Sequence, residues 1–102
     1  MVKLLVFLHR RDDLSQEAFD RYYQDTHLPL VKRLPGLRRV VVNRVLPDPT
    51  MPAWDLVVED HFDSPEAMQA ALASPEGQAV VADAPNLFDM EKIQFLAVQE
   101  TE

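Results

Sequence analysis

Residues 15–36 read SQEAFDRYYQDTHLPLVKRLPG and carry the longest helical pattern of the chain. Phe19, Tyr22, Tyr23, Thr26, Leu30, Val31 and Leu34 recur three and four apart, the stripe of a helix packed on a core. Ser15 is a good N-cap, Glu17 suits the positive end of the helix dipole, and Leu14 with Phe19 can form a hydrophobic staple. Pro35-Gly36 stops the pattern. Inside it, Pro29 has no N–H for the carbonyl of Asp25, its ring crowds that carbonyl, and Leu28 is pushed away from helical angles. The expectation is a kink or break beside His27, which sits on the stripe, and a pocket at that bend.

Strands flank this helix. Val2 to Leu8 is a short run rich in Val, Leu and Phe, and Leu37 to Leu46 is carried by Val40-Val41-Val42 and Val45. The prolines of Pro47-Asp48-Pro49-Thr50-Met51-Pro52 exclude regular structure and leave a loop. Trp54 to Phe62 alternates, with Trp54, Leu56, Val58, Asp60 and Phe62 on one face and Asp55, Val57, Glu59 and His61 on the other. Ser64-Pro65-Glu66 and Ser74-Pro75-Glu76 each combine an N-cap, a proline at the first helical position and an acid in the first turn. They predict one helix with Met68, Ala71 and Leu72 on its apolar face, and another running to about Ala84. Pro85-Asn86 breaks the second, and a last strand covers about residues 92–98.

The order is β-α-β followed by β-α-β, which describes an α+β, ferredoxin-like domain: a four-stranded antiparallel sheet with helices on one face. The handedness of crossovers places the first and third strands side by side in the centre. The first strand is apolar on both faces, so Leu5, Phe7 and Val57 on the second face need a cover. A second copy of the same sheet, packed face to face, is the simplest one, and a homodimer is expected.

A chain of 102 residues, 47% apolar, is expected to form a single domain over residues 1–102 with a modest core. It contains no cysteine, which excludes disulfides and thiolate chemistry. Met1 to Leu8 is too short for a signal peptide or a membrane span, so a cytoplasmic protein with no membrane partner is expected. The net charge of −7 argues against nucleic acid. The charge is uneven: residues 1–46 hold nine Lys/Arg against five Asp/Glu, a net of +4, and residues 47–102 hold one against twelve, a net of −11. That asymmetry allows mutual pairing, or a basic patch of Lys32, Arg33, Arg38, Arg39 and Arg44 for an anionic ligand.

Two roles are open to His27: a core histidine satisfied by the carbonyl of Asp25 or a nearby hydroxyl, or a general acid/base, since an unperturbed imidazole titrates near pH 6.5. Twelve residues of helix, about 18 Å at 1.5 Å per residue, bring His27 level with the end of the third strand, where Asp60 lies in phase with the apolar face. Asp60 is therefore the expected partner, unless it sits in water at a fraying strand end. Tyr23 and Trp54 are the expected walls for a flat, aromatic or alicyclic ligand, with Val40 and Phe62 beside them. His9 and His27 lie at opposite ends of the first strand, roughly 20 Å apart at 3.3 Å per residue, so no metal site is expected. Gly36 and Gly77 are the only glycines and form no phosphate loop, so no bound cofactor is expected either.

Four pieces in order make the chain resemble the EthD family of the dimeric α/β-barrel superfamily. They are Leu14-Ser15 through Phe19 and Tyr22-Tyr23; Thr26-His27-Leu28-Pro29-Leu30; Leu34-Pro35-Gly36-Leu37-Arg38-Arg39; and the run from Phe62-Asp63-Ser64-Pro65-Glu66-Ala67 to Ala73-Ser74-Pro75-Glu76-Gly77. The resemblance implies a dimeric barrel and a role in small-molecule (xenobiotic, ether or aromatic) catabolism. It further implies a cofactor-independent oxidoreductase, isomerase or lyase with His27 as acid/base, or a non-catalytic accessory or metabolite-binding protein of the same form. Two positions depart from the pattern. Val40 stands where a methylmuconolactone-isomerising relative has a tyrosine, and Asp60-His61 replaces an apolar-aromatic pair.

Overall fold

The computed structural model describes residues 1–51 and 53–102; Pro52, expected in a loop, lies outside them. Four strands, β1 (Val2–Leu8), β2 (Arg39–Arg44), β3 (Leu56–Phe62) and β4 (Gln94–Gln99), form one antiparallel sheet in the order β2-β3-β1-β4. The most buried strands, β1 and β3, are central, as the crossover rule requires. Valine-rich β2 is shorter than expected at both ends, and β3 begins two residues after Trp54.

Side-chain alternation divides the sheet. Leu4, Leu8, Leu56, Val58, Asp60 and Phe62 point to one face and are buried beneath the helices; Leu5, Phe7, Val57 and Glu59 point to the other and are half-buried. Two apolar clusters fill the layer between sheet and helices. One joins Leu8, Leu56 and Val58 to Phe19, Tyr23, Leu28 and Phe88; the other joins Leu4 and Phe62 to Val31, Leu34, Met68 and Ala71.

The helices begin where the sequence places them. Ser15 Oγ accepts from Ala18 N–H at 3.1 Å to start α1 (Gln16–Tyr22). Ser64 and Ser74 do the same for Ala67 and Gly77, opening α3 (Pro65–Ala73) and α4 (Pro75–Asp83). The first helix corrects the expectation at Pro29. The backbone does not leave helical space: Leu28 has φ −58° and ψ −41°. One wide π turn spans Tyr23–His27, its Leu28 N–H bonded to the carbonyl of Tyr23, and α2 (Leu28–Val31) follows with Pro29 in its first turn. A five-residue hydrogen-bond step relieves the clash that a proline makes with the carbonyl four residues back.

That turn also rotates the buried face. Thr26, on an ideal α stripe, is exposed, and His27 and Leu28 are buried behind Tyr23. After α4, a short 3-10 turn (Ala84–Asn86) leads into a segment tied to the end of β1. Arg11 N–H bonds to Leu87 O at 3.0 Å and Asp89 N–H to His9 O at 2.8 Å, which sets Phe88 against the helix bearing His27.

Candidate functional site

The π turn delivers His27 into the layer between helices and sheet, where it is 4% exposed. Its ring lies edge-on to Phe88, with centroids 5.2 Å apart, and against Tyr23 at 5.6 Å. Among the described residues one polar contact reaches it: Nδ1 lies 2.9 Å from Oδ2 of Asp83, the last residue of α4. The other oxygen of Asp83 accepts from Tyr22 Oη–H at 2.5 Å and from Asn86 Nδ2–H at 3.1 Å. A carboxylate so supplied is an acceptor only, so Nδ1 carries the proton and the lone pair falls on Nε2.

Burial acts to raise the Asp83 pKa, but the hydrogen bonds from Tyr22, His27 and Asn86 outweigh it and hold the carboxyl below its ordinary value. For His27 the balance runs the other way. Burial among carbon lowers its pKa below 6.5, and the Asp83 bond and charge recover only part of that. The pair is thus a neutral imidazole oriented by an ionised carboxylate.

His27 lines a cavity of about 130 Å³ between the sheet and the helices. Leu4, Val6, Leu8 and Val58 form its floor, with Tyr23 and Val31 on one side and Val80 and Ala84 on another. Leu72, Val81, Met90 and Phe95 also line it and are 41–64% exposed, marking its open side. The third ionisable group is Asp60, on the floor, 6% exposed, with Oδ1 buried and unpartnered. Burial raises its pKa to about 6. Burial raises the Tyr23 phenol as well, and the charge of Asp60 adds to that, so the tyrosine stays protonated.

Three of the sequence-derived site residues, Tyr23, His27 and Asp60, therefore share one cavity. The hydrogen bond of His27 goes to Asp83, however, and neither to Asp60 nor to the carbonyl of Asp25. The other expectations need correction. Trp54 lies off the strand and packs on Phe7, at a centroid distance of 5.7 Å, and on His9; Phe7 belongs to the opposite face of the sheet. Phe62 is fully buried in the second cluster, and Val40, paired with Asp60 across β2 and β3, packs against both clusters; neither lines the cavity. The basic patch is remote: Arg38 pairs with Asp63 and Arg44 with Asp20, all exposed or near the surface, and no Lys or Arg is among the lining residues. Among the described residues no three His, Cys, Asp or Glu side chains cluster as a metal site would need, and no helix is long and apolar enough to cross a membrane.

A family model described as EthD domain matches residues 11–91. An uncharacterised 11.0 kDa protein from the thcB–thcC intergenic region of Rhodococcus erythropolis is 32% identical over 83 residues, covering 80% of this chain and 78% of its own. Among solved structures, an ethyl tert-butyl ether d (EthD) family protein from Bacillus halodurans superposes with a TM-score of 0.84 at 32% identity, covering 99% of both chains. More distant chains share the fold. SnoaB, a cofactor-independent oxygenase from Streptomyces nogalater, has a TM-score of 0.72 at 15% identity, covering 99% of this chain and 93% of its own. A dimeric protein of unknown function from Bacteroides fragilis has 0.71 at 17%, covering 97% and 95%.

Proposed function

The chain belongs to the EthD family, and we propose that it is a cofactor-independent enzyme of small-molecule catabolism in which His27 is the general base. One observation carries this reading: an imidazole whose Nδ1–H is held 2.9 Å from an ionised carboxylate lines a largely apolar cavity. The role of each group follows. Asp83 fixes the tautomer and steadies the imidazolium formed when Nε2 takes a proton from a bound substrate. That single proton transfer begins isomerisations, eliminations and cofactor-free oxygenations alike. SnoaB supports the last of these, as a fold of this kind that carries oxygenase chemistry without a cofactor.

The test is turnover of neutral ring compounds by the wild-type protein, without added cofactor, against a variant whose residue 27 cannot accept a proton. Binding without turnover by wild type contradicts the enzyme and supports the metabolite-binding role, which the open apolar rim of the cavity also suits.

The active form in this reading is a homodimer. Leu5, Phe7 and Val57 remain only half-covered on the sheet face away from the helices, and Leu96, on the same face, is 53% exposed. A second sheet packed on that face buries them; the dimeric Bacteroides fragilis neighbour supports this. Sedimentation equilibrium is expected to give twice the chain mass of 11.7 kDa, with Phe7→Lys giving the monomer. A wild-type mass of 11.7 kDa contradicts the dimer.

A further inference from the structure

The polar groups in the cavity are mismatched to one another. Asp60 lines the cavity, and its Oδ1 is a buried acceptor with no donor among the described residues, an arrangement that costs free energy unless a donor reaches the carboxyl group. Its neighbours in sequence do not: Glu59, on the opposite face, takes Asn43, Lys3 and His61. Asp83 takes Tyr22, Asn86 and His27. Nε2 of His27 is likewise an acceptor, so a ligand that only accepts hydrogen bonds satisfies neither group.

Charge and size narrow the class further. With the carboxyl of Asp60 in the lining and no Lys or Arg beside it, an anion is disfavoured. A cavity of about 130 Å³ is close to the ~150 Å³ apolar cavities that hold benzene, room for a single ring. The ring faces of Tyr23 and Phe88 give such a molecule flat surfaces to pack on.

We propose that the His27 cavity takes a neutral, single-ring molecule bearing a hydroxyl, a phenol or cyclic enol, with that hydroxyl donating to Asp60. Asp60 is then a ligand-binding residue that sets specificity, and His27 lines the same cavity. The proposal names the ligand class of the site described above and rests on that cavity being the site. It does not depend on turnover.

The experiment is a calorimetric and NMR titration of wild type, Asp60→Leu and Asp60→Asn with phenol, toluene and benzoate. Wild type is expected to bind phenol about tenfold more tightly than toluene, the effect of one hydrogen bond to a charged group, and benzoate not at all. Asp60→Leu should lose the preference for phenol, and Asp60→Asn, which keeps an uncharged acceptor, should fall between. Equal binding of phenol and toluene by wild type overturns the proposal. So does a phenol preference that survives Asp60→Leu, or benzoate binding tighter than phenol. If none of the three probes shifts the resonances of Tyr23 or Phe88, the ligand assignment and the cavity both fall. If phenols bind through Asp60 but no hydroxylated ring is turned over, only the acid/base role fails.

Discussion

His27→Gln is expected to lower turnover by a factor of about 10² to 10⁴, the usual contribution of a positioned general base, while leaving the fold in place. Glutamine keeps an N–H that can donate to Asp83, so the Tyr22–Asp83–Asn86 cluster retains its third partner. What disappears is the lone pair of Nε2. The binding of a non-reacting ligand should change far less than turnover, because the cavity walls are unaltered. In wild type the rate should rise with pH through a midpoint below 6.5 and then level off, since burial lowers the His27 pKa and only the neutral ring accepts a proton. A rate unchanged in His27→Gln, measured on a substrate that wild type consumes, removes His27 from the chemistry.

Asp60→Asn is expected to stabilise the protein by about 2–3 kcal/mol at pH 8 and hardly at all at pH 4. The folded pKa of Asp60 is raised to about 6 from an ordinary 3.8, purely by burial. A group raised in this way contributes stability that is present below its unfolded pKa and is lost as pH rises through its folded one. Roughly two pKa units at 1.36 kcal/mol each set the size of the effect. Asn is similar in shape and never ionises, so it removes the cost above pH 6. His27 acts in the opposite sense: its folded pKa is depressed, and its contribution, present above 6.5, is lost as pH falls through the folded value. Urea denaturation of wild type and Asp60→Asn at pH 4, 6 and 8 separates the two groups. Parallel stability curves for the two proteins would rule out a carboxyl strained by burial.

On the proposed reading, this buried carboxyl lets a stable fold carry a ligand site: the group whose burial costs stability is the one a donor would satisfy. It also shows how far the sequence could be followed. Alternation along β3 placed Asp60 in phase with Leu56, Val58 and Phe62, and the helix-length argument brought His27 to the same level; both rest on fixed repeat distances. Serine-proline-acid starts located α3 and α4 to the residue, because a cap is a local hydrogen bond.

The partner of His27 was not legible in the same way. Asp83 lies 56 residues away and comes within 2.9 Å only once α4 packs against α2. As the last residue of α4, next to a proline-containing break, it resembles any solvated helix-end acid. Nothing in the residues from Tyr23 to His27 distinguishes a π turn from an α turn followed by a proline kink. Both answer the missing N–H of Pro29, and the choice is made by which of Thr26 and His27 is buried. Trp54 misled for a related reason, since the alternation that held from Leu56 onward did not extend past the strand's first residue.

¹⁵N NMR of the His27 imidazole reads directly whether the ring is neutral, protonated at Nδ1 and oriented by Asp83. Across pH 7–8 a protonated Nδ1 and a bare Nε2 are expected, with a titration midpoint below 6.5; Asp83→Asn should disturb the tautomer and leave Asp60 unaffected. A His27 that is protonated on Nε2 at pH 7.5, or that titrates above 6.5, contradicts this assignment.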